Sequence, residues 1–317
     1  MIWGVACYLM WGFFPAFFPL LEPADPMEIL AHRFVWTLVF VAVVLLLLGR
    51  NHGGGFHWIR GMTLRQWGRI AVAAVLIAGN WGLYIYAVNN DHVADAALGY
   101  FINPLVSVLL GVLVLRERLR MLQWLSVGVA AVAVVVLTVA LGSPPVVSLG
   151  LAFTFGLYGL MKKKVTLTPL QSLTAETVVL APVGVLYLAW LQSGASAGSN
   201  TMVQGGHGIG HALLLIAAGA ITALPLLCFA RAAHELSLTT LGMLQYITPV
   251  LQMLWAVFVV DEHIEPARWV GFGLIWVAVA VFTADMVANR PRRARVTRPG
   301  HPDLPGTGQF SPKIRST

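Results

Sequence analysis

Long apolar stretches alternate with short polar segments along almost the whole chain. A transmembrane helix needs about 20 mainly apolar residues to cross roughly 30 Å of hydrocarbon. The pattern therefore predicts an all-α membrane protein with ten transmembrane helices. The predicted spans are 2–20, 28–48, 69–89, 96–115, 122–141, 148–161, 170–191, 211–230, 238–260 and 269–288.

The second half of the chain repeats the first at a constant offset of 145 positions. Residues 102–138 return at 247–283, so that Ile102-Asn103-Pro104 corresponds to Ile247-Thr248-Pro249. Each proline is followed thirteen residues later by a glutamate, Glu117 in one copy and Glu262 in the other. The match of polar residues as well as apolar ones indicates a duplicated membrane unit.

Each copy contains five of the predicted helices, and an odd number of crossings places the second copy in the membrane upside down. The predicted organisation is a first five-helix repeat at 1–141, a second, inverted repeat at 148–288, and a basic, disordered cytoplasmic tail at 289–317. Inverted repeats with a site at their interface are typical of secondary transporters.

Composition and charge agree with a membrane location. Hydrophobic residues make up 58% of the chain and charged residues 10%, whereas soluble domains carry about 25% charged residues. The formal net charge is +7, and 18 of the 20 Lys and Arg lie in four short loops and the tail. The loops that carry these basic residues alternate along the chain with loops that are acidic or uncharged. This distribution follows the positive-inside rule and predicts that both termini are cytoplasmic. No nucleic-acid partner is expected, because no aromatic residues interleave the basic runs.

Two polar stripes lie inside apolar spans, where polar side chains usually face a bundle interior. Helical spacing places Tyr100, Asn103 and Ser107 on one face of the fourth span, and their repeat partners on one face of the ninth. The partners are Gln245, Thr248 and Gln252, next to Tyr246. Both stripes reach the middle of the membrane from opposite sides. They favour a substrate path, with hydrogen bonding between packed helices as the alternative.

Other mid-span residues are candidates for the same cavity. They are Trp11 in the first span and Asn80, Trp81 and Tyr84 in the third. A purely structural role is the alternative for each of them. Pro104 and Pro249 interrupt the helical hydrogen bonding of the fourth and ninth spans, which predicts kinks or hinges there.

Arg33 and Glu176 are the charges predicted to lie within spans, at near-equivalent repeat positions. Counting residues inward places them roughly 14 Å apart in depth, so a direct ion pair is not expected. Each is expected to line its own vestibule, Arg33 facing outward beside Glu28 and His32. Snorkelling to lipid headgroups is the alternative for Arg33. Lys162–Lys164 are expected to snorkel from the end of the short sixth span.

The sequence offers little support for catalysis, and no catalytic residue, metal site or cofactor is predicted. Cys7 and Cys228 lie in separate apolar segments. The G-x-S-x-G pattern at 194–198 lies in a Gly/Ser-rich loop, without the strand and helix that a nucleophile elbow needs. No phosphate-binding G-x-x-x-x-G-K-[ST] loop is present, which excludes nucleotide-driven pumping by this chain alone.

Several runs resemble one bacterial family. They are Glu28-Ile29-Leu30-Ala31-His32-Arg33, Gly79-Asn80-Trp81, Leu98-Gly99-Tyr100-Phe101-Ile102-Asn103-Pro104 and Gln245-Tyr246-Ile247-Thr248-Pro249. They are similar to the RarD branch of the drug/metabolite transporter superfamily, which is built from two EamA-type units. The resemblance covers about residues 4–288. It implies ten helices in two inverted repeats, a bacterial inner-membrane location and a transport role. The polar stretch that usually precedes the first helix is absent here, which leaves an upstream start codon open.

These observations together predict a secondary transporter of a small organic metabolite or drug, working by alternating access between the repeats. Arg33 favours an anionic or zwitterionic substrate. Proton coupling is open, as is the choice between a monomer and a homodimer. A membrane-embedded enzyme and a non-transporting scaffold are the alternatives; the first lacks a nucleophile with a base, and the mirrored polar stripes disfavour the second.

Overall fold

A computed structural model describes residues 1–49, 56–89, 93–141, 146–193, 200–204, 208–259, 261 and 266–289. All regular secondary structure within these ranges is helical. A 3-10 helix covers Phe18–Leu21, and the α-helices are α1 (Ile2–Gly12), α2 (Phe14–Phe17), α3 (Pro26–Gly49), α4 (His57–Arg60), α5 (Leu64–Asn89), α6 (Val93–Leu113), α7 (Met121–Leu141), α8 (Val146–Lys164), α9 (Pro169–Gln192), α10 (Thr201–Gln204), α11 (Gly208–Glu235), α12 (Leu238–Gln245), α13 (Ile247–Phe258) and α14 (Pro266–Ala288).

Eight helical segments of the described residues are long and apolar enough to cross a membrane. They correspond to eight of the ten predicted spans. The predicted sixth span is α8, which continues beyond residue 161 and ends in the three lysines at 162–164. The predicted ninth span is divided into α12 and α13. Neither α8 nor the α12–α13 pair is among the eight segments.

The two prolines at equivalent repeat positions affect their helices differently. Proline lacks an N–H, so Pro249 cannot donate to the carbonyl group of Gln245 four residues earlier. The helix is interrupted at this place, since α12 ends at Gln245 and α13 begins at Ile247. In contrast, α6 continues through Pro104. The kink or hinge predicted at Pro249 therefore coincides with a break in the helix, whereas Pro104 lies within an unbroken helix.

The first predicted span is also interrupted. Helix α1 ends at Gly12, and α2 and the 3-10 helix continue the segment with Pro15 in the first turn of α2. Gly12 allows α1 and α13 to approach closely, because a Cβ atom at this position would lie 2.5 Å from the Leu251 side chain. Any larger residue at position 12 would push these two segments apart.

Among the described residues the helices form two main apolar cores, one larger than the other, and three small apolar clusters. The large core joins α1, α3, α5, α8, α9, α11 and α12, and the smaller core joins α6, α7, α13 and α14 with one face of α12. Helix α3 packs against α9 and α11, and α5 packs against α8 and α9. Since α3, α5, α9 and α11 meet in the large core, a site between them is enclosed by helices.

Candidate functional site

A narrow cavity lies where α3, α5, α9 and α11 meet. About 290 Å³ within it is not filled by protein atoms, part of it open to the outside. In this conformation its interior has room for about one water molecule. The polar side chains on its wall are Arg33, Thr37, Glu176, Thr177 and Thr222. The wall is otherwise apolar, so the two charged groups dominate its electrostatics.

Arg33 on α3 carries a buried positive charge on this wall, with only 9% of its surface exposed. Its Nε donates a hydrogen bond of 2.9 Å to Thr222 Oγ1 on α11. Its guanidinium carbon lies 4.0 Å from the centre of the Trp81 ring and 5.5 Å from that of Phe18. A cation over a desolvated aromatic face is stabilised by about 2 kcal/mol. Among the described residues no carboxylate lies within ion-pair distance of Arg33.

Glu176 on α9 forms a buried ion pair with Lys162, the third-last residue of α8. Lys162 Nζ donates to Glu176 Oε1 over 2.5 Å and to Ser172 Oγ over 2.8 Å. Ser172 in turn donates to Glu176 Oε1, and the Tyr158 hydroxyl donates to Glu176 Oε2 over 3.2 Å. Lys162 is fully buried and Glu176 is 1% exposed. Two oppositely charged groups in hydrogen-bond contact offset much of the cost of burying each one.

Arg33 and Glu176 line the cavity at different depths along the helices. Gly184 on α9 packs against Ala31 and Phe34, the neighbours of Arg33 on α3. Glu176 is eight residues before Gly184, which corresponds to about 12 Å along the helix. The absence of a direct ion pair between the two residues agrees with the sequence-based expectation.

Two expectations about the charged residues are wrong. Arg33 and Glu176 line one cavity and do not occupy separate vestibules. Lys162 is buried against Glu176 and does not snorkel, because a carboxylate one helix away gives its ammonium group a closer partner than the membrane surface. The direct contacts of Arg33 are with Thr222, Trp81 and Phe18.

Glu28 and His32 belong to a separate polar cluster. Glu28 Oε1 accepts hydrogen bonds from the backbone N–H and the hydroxyl of Thr201, at 2.7 and 3.0 Å. His32 Nε2 lies 3.7 Å from the same carboxylate, and Trp36 donates to His32 Nδ1. This arrangement fixes α10 against the start of α3. His32 accordingly lies beside the cavity and is not on its wall.

Of the aromatic and amide candidates, Trp81 lines the cavity and stacks on Phe34 at 6.1 Å between ring centres. Asn80 points elsewhere: its amide donates to the Leu151 carbonyl and to Thr154 Oγ1, both at 2.9 Å, and so joins α5 to α8. Trp11 packs against Tyr8, Phe155 and Phe229 in the large core. Tyr84 and Tyr100 pair with their ring centres 5.9 Å apart, outside the cavity wall.

The two predicted polar stripes lie at helix contacts in this conformation. Thr248 Oγ1 donates to the Tyr8 carbonyl over 2.9 Å, and Tyr246, fully buried, donates to the Phe101 carbonyl. Asn103 and Gln245 are also buried. Asn103 Oδ1 has no hydrogen-bond partner among the described residues. Thr248 thus forms a hydrogen bond between helices, which was the alternative to a substrate path, whereas the side-chain oxygen of Asn103 remains a free acceptor among the described residues.

Sequence reasoning did not find Lys162 or Thr222 as site residues. Lys162 was hidden because it stands at the head of a run of three lysines that resembles a membrane-surface anchor. Its distance of ten residues from Ser172 and fourteen from Glu176 spans a helix hairpin, a contact that periodicity along one helix does not reveal. Thr222 is a single hydroxyl in a long apolar helix, so no local signal distinguishes it.

One face of the molecule is held closed by contacts between the two halves of the chain. Glu117, after α6, accepts hydrogen bonds from the backbone N–H groups of Leu238 and Thr239 at the start of α12, at 2.6 and 2.9 Å. Within the second half, Lys163 donates to the Leu236 carbonyl, between α11 and α12, over 2.6 Å. Arg120, before α7, forms an ion pair of 2.6 Å with Asp285 of α14. Glu262, the repeat partner of Glu117, lies outside the described residues.

A multi-pass helical membrane protein with a charged cavity enclosed by its helices has the organisation of a membrane transporter. The comparison with known proteins agrees. The model of the EamA-like transporter family matches residues 1–139 and again residues 145–284. The chain therefore belongs to this family of drug/metabolite transporters, as the sequence resemblance predicted.

Its relatives extend across distant bacteria. Protein RarD of Streptomyces exfoliatus is 48% identical over 93% of this chain and 92% of its own. Protein RarD of Escherichia coli K12 is 44% identical over 92% and 96%, and the uncharacterized transporter YojE of Bacillus subtilis is 42% identical over 90% and 94%. A crystal structure with 19% identity superimposes with a TM-score of 0.67, covering 91% of this chain and 98% of the other. It supports the fold alone.

Proposed function

We propose that the protein is a secondary transporter that moves a small organic anion or zwitterion, with the cavity between α3, α5, α9 and α11 as its binding site. The buried guanidinium of Arg33, which has no carboxylate partner among the described residues, carries this proposal. An uncompensated charge within a membrane is costly and usually functional. A carboxylate or phosphate on the solute would supply the missing negative charge, and a guanidinium binds such groups through two parallel hydrogen bonds.

The proposal includes ten membrane spans in two inverted repeats. Two separate matches to the same family model support the duplication. The packing pattern supports it as well, because helices at equivalent positions of the repeats make equivalent contacts. The first helix of each repeat packs against the third and fourth spans of the other repeat: α8 packs against α5 and α6, and α1 packs against α11, α12 and α13. In this scheme α8 and the α12–α13 pair are the two spans that complete the ten.

The orientation proposed is that of a bacterial inner-membrane protein with both termini in the cytoplasm. The support is the distribution of Lys and Arg among alternate loops. Arg33 is one of the two basic residues outside these loops and the tail, and it is held inside the bundle by Thr222 and Trp81. The face closed by Glu117 is then the cytoplasmic one. The tail at 290–317 lies outside the described residues.

Alternating access requires the cavity to open to one side at a time. With room for about one water molecule, it is closed to a solute in this conformation. The interruption at Tyr246 beside Pro249 offers a flexible place in the second repeat, and Pro104 marks the equivalent place in the first. We include Asn103 and Gln245 in the proposed path, because movement at these prolines would bring both buried side chains toward the cavity.

Counterflow in proteoliposomes tests this function. Vesicles with purified protein are preloaded with a pool of amino acids, carboxylates, sugar phosphates and neutral drugs, and uptake of trace labelled members of the pool is followed. We expect exchange of an anion or zwitterion, and its loss in Arg33→Gln. Arg118→Gln, which removes an exposed arginine, is the matched control. Exchange confined to neutral or cationic solutes, or full exchange in Arg33→Gln, would contradict the proposal.

A further inference from the structure

We propose that Glu176 carries a proton that crosses the membrane together with the anionic solute, and that Lys162 is the counter-charge which the proton releases. The inference rests on the proposed function, because it needs a negatively charged solute at Arg33. It adds the coupling ion, the residue that binds it, and the direction in which it moves relative to the solute.

Glu176 is placed to exchange a proton with the cavity. Its side chain lines the cavity, and its carboxylate accepts hydrogen bonds from Lys162, Ser172 and Tyr158. Lys162 Nζ has a second acceptor in Ser172 Oγ and lies 5.5 Å from the centre of the Tyr158 ring. The ammonium group therefore keeps partners if Glu176 becomes a neutral acid.

Few charged groups on the neighbouring helices face this carboxylate. Arg33 of α3 lines the same cavity but forms no ion pair with Glu176, and Tyr158 and Lys162 of α8 are the direct partners of Glu176. Helices α5 and α11 present Ile77, Trp81, Thr222 and Leu226 to the cavity, which do not titrate. His234 near the end of α11 lies within electrostatic range of Lys162 and does not line the cavity.

The arrangement of charges determines how the solute and the proton influence each other. In the empty site Glu176 offsets Lys162, so that the charge of Arg33 remains. A proton on Glu176 without a solute leaves both Arg33 and Lys162 as buried cations without a counter-charge, which is unfavourable. A bound anion pairs with Arg33 and thereby lowers this cost. The solute and the proton consequently promote each other's binding, and the linkage is reciprocal.

This sign of linkage corresponds to symport. In an antiporter the two cargoes compete for the site, whereas here they occupy it together. The proton comes from water on one side, adds to the Glu176 carboxylate and ends its ion pair with Lys162, which keeps its own proton. After the conformational change the proton returns to water on the other side and the ion pair forms again. A monoanion and one proton cross without net charge.

Proton uptake by the purified protein tests the inference directly. Benzenesulfonate is a suitable probe, because it remains ionised at every pH used and cannot itself bind or release protons. It is added to the protein in a weakly buffered detergent solution, binding is measured by calorimetry, and proton uptake is followed with a pH indicator. We expect Arg33-dependent binding with uptake of up to about one proton per bound anion in the wild type.

Glu176→Gln is expected to bind the anion but to reduce proton uptake at least about fivefold. This single variant leaves Lys162 without a counter-charge. The double variant Lys162→Met/Glu176→Gln therefore tests the same loss of the carboxylate in a protein in which neither residue of the pair is charged. Glu235→Gln, which removes the exposed partner of Arg231, is the matched control and should behave like the wild type.

Each outcome of the test decides between the two proposals. Arg33-dependent binding without proton uptake in the wild type, or with undiminished uptake in both Glu176 variants, would overturn the coupling and leave the anion site intact. If benzenesulfonate shows no binding that depends on Arg33, the anion site itself is wrong and the coupling falls with it.

Discussion

The hydroxyl group of Tyr246 donates a hydrogen bond of 3.2 Å to the carbonyl oxygen of Phe101, and the two residues are 145 positions apart. This separation equals the offset at which the sequence repeats. Equivalent residues of two repeats can touch only near the axis that relates them, so the bond supports an axis passing between α6 and the α12–α13 junction. The same hydrogen bond also joins the interrupted α12–α13 segment to the continuous helix α6.

Tyr246→Phe is expected to lower stability without changing the fold. The variant removes a hydrogen bond between buried groups and leaves the Phe101 carbonyl with one partner fewer, which costs about 1 kcal/mol. The check is a lower melting temperature of the detergent-solubilised protein. Tyr187→Phe, on a partly exposed ring, serves as the control. Equal melting temperatures for Tyr246→Phe and the wild type would show that this bond contributes no stability.

The predicted orientation can be checked by cysteine labelling in a Cys7→Ala/Cys228→Ala background. A cysteine at Ser196 should react with a membrane-impermeant maleimide in intact cells, and one at Ser311 should react only after the cells are opened. Both positions lie outside the described residues, and the expectation follows from the charge of the loops. The opposite labelling pattern would contradict the inverted-repeat arrangement.

Arg33→Lys separates solute binding from simple charge compensation. Lysine keeps the positive charge but loses the planar, two-point contact with a carboxylate and the stacking on Trp81. We expect the apparent affinity for the exchanged solute to fall about tenfold, which corresponds to roughly 1.4 kcal/mol. Counterflow at several solute concentrations measures it, with Arg118→Lys as control. Unchanged kinetics in Arg33→Lys and in Arg33→Gln would favour snorkelling.

The ion pair between Lys162 and Glu176 predicts an unequal series of stabilities. Lys162→Met leaves a buried carboxylate without its partner, which typically costs about 3–5 kcal/mol, whereas replacing both partners is often nearly neutral. The double variant Lys162→Met/Glu176→Gln should therefore melt closer to the wild type than Lys162→Met alone. Thermal unfolding of the three proteins gives the comparison, and a double variant less stable than Lys162→Met would argue against mutual compensation.

Asn103→Leu should impair transport much more than it impairs abundance in the membrane. The side-chain oxygen of Asn103 is buried and has no hydrogen-bond partner among the described residues, so its removal costs little in the conformation seen here. Its proposed role belongs to the open conformations. We expect a drop of about tenfold in exchange, a loss of transition-state stabilisation near 1.4 kcal/mol. Thr138→Val, whose hydroxyl bonds only within α7, is the control.

Periodicity predicted the helices well, because apolar length and loop charge act locally along the chain. It predicted ten spans, of which eight correspond to helical segments able to cross a membrane and two correspond to α8 and α12–α13. The sequence also named Arg33, Trp81 and Glu176 as candidate site residues, and the structure brings all three to one cavity. It could not find Lys162 or the partners of Asn80 and Thr248, since these contacts join different helices and depend on how the helices rotate against one another.

The hydrogen bonds of Glu117 have a consequence for the rate of the proposed transport cycle. Opening the face on which this carboxylate lies exposes two backbone amide groups at the start of α12 together with the carboxylate itself. None can remain unpaired, so water must enter as the contact separates. The opening step is thus coupled to hydration, and solutes too large to enter the gap should hold the protein shut by osmotic stress. The transport rate should therefore fall as the water activity of the solution falls.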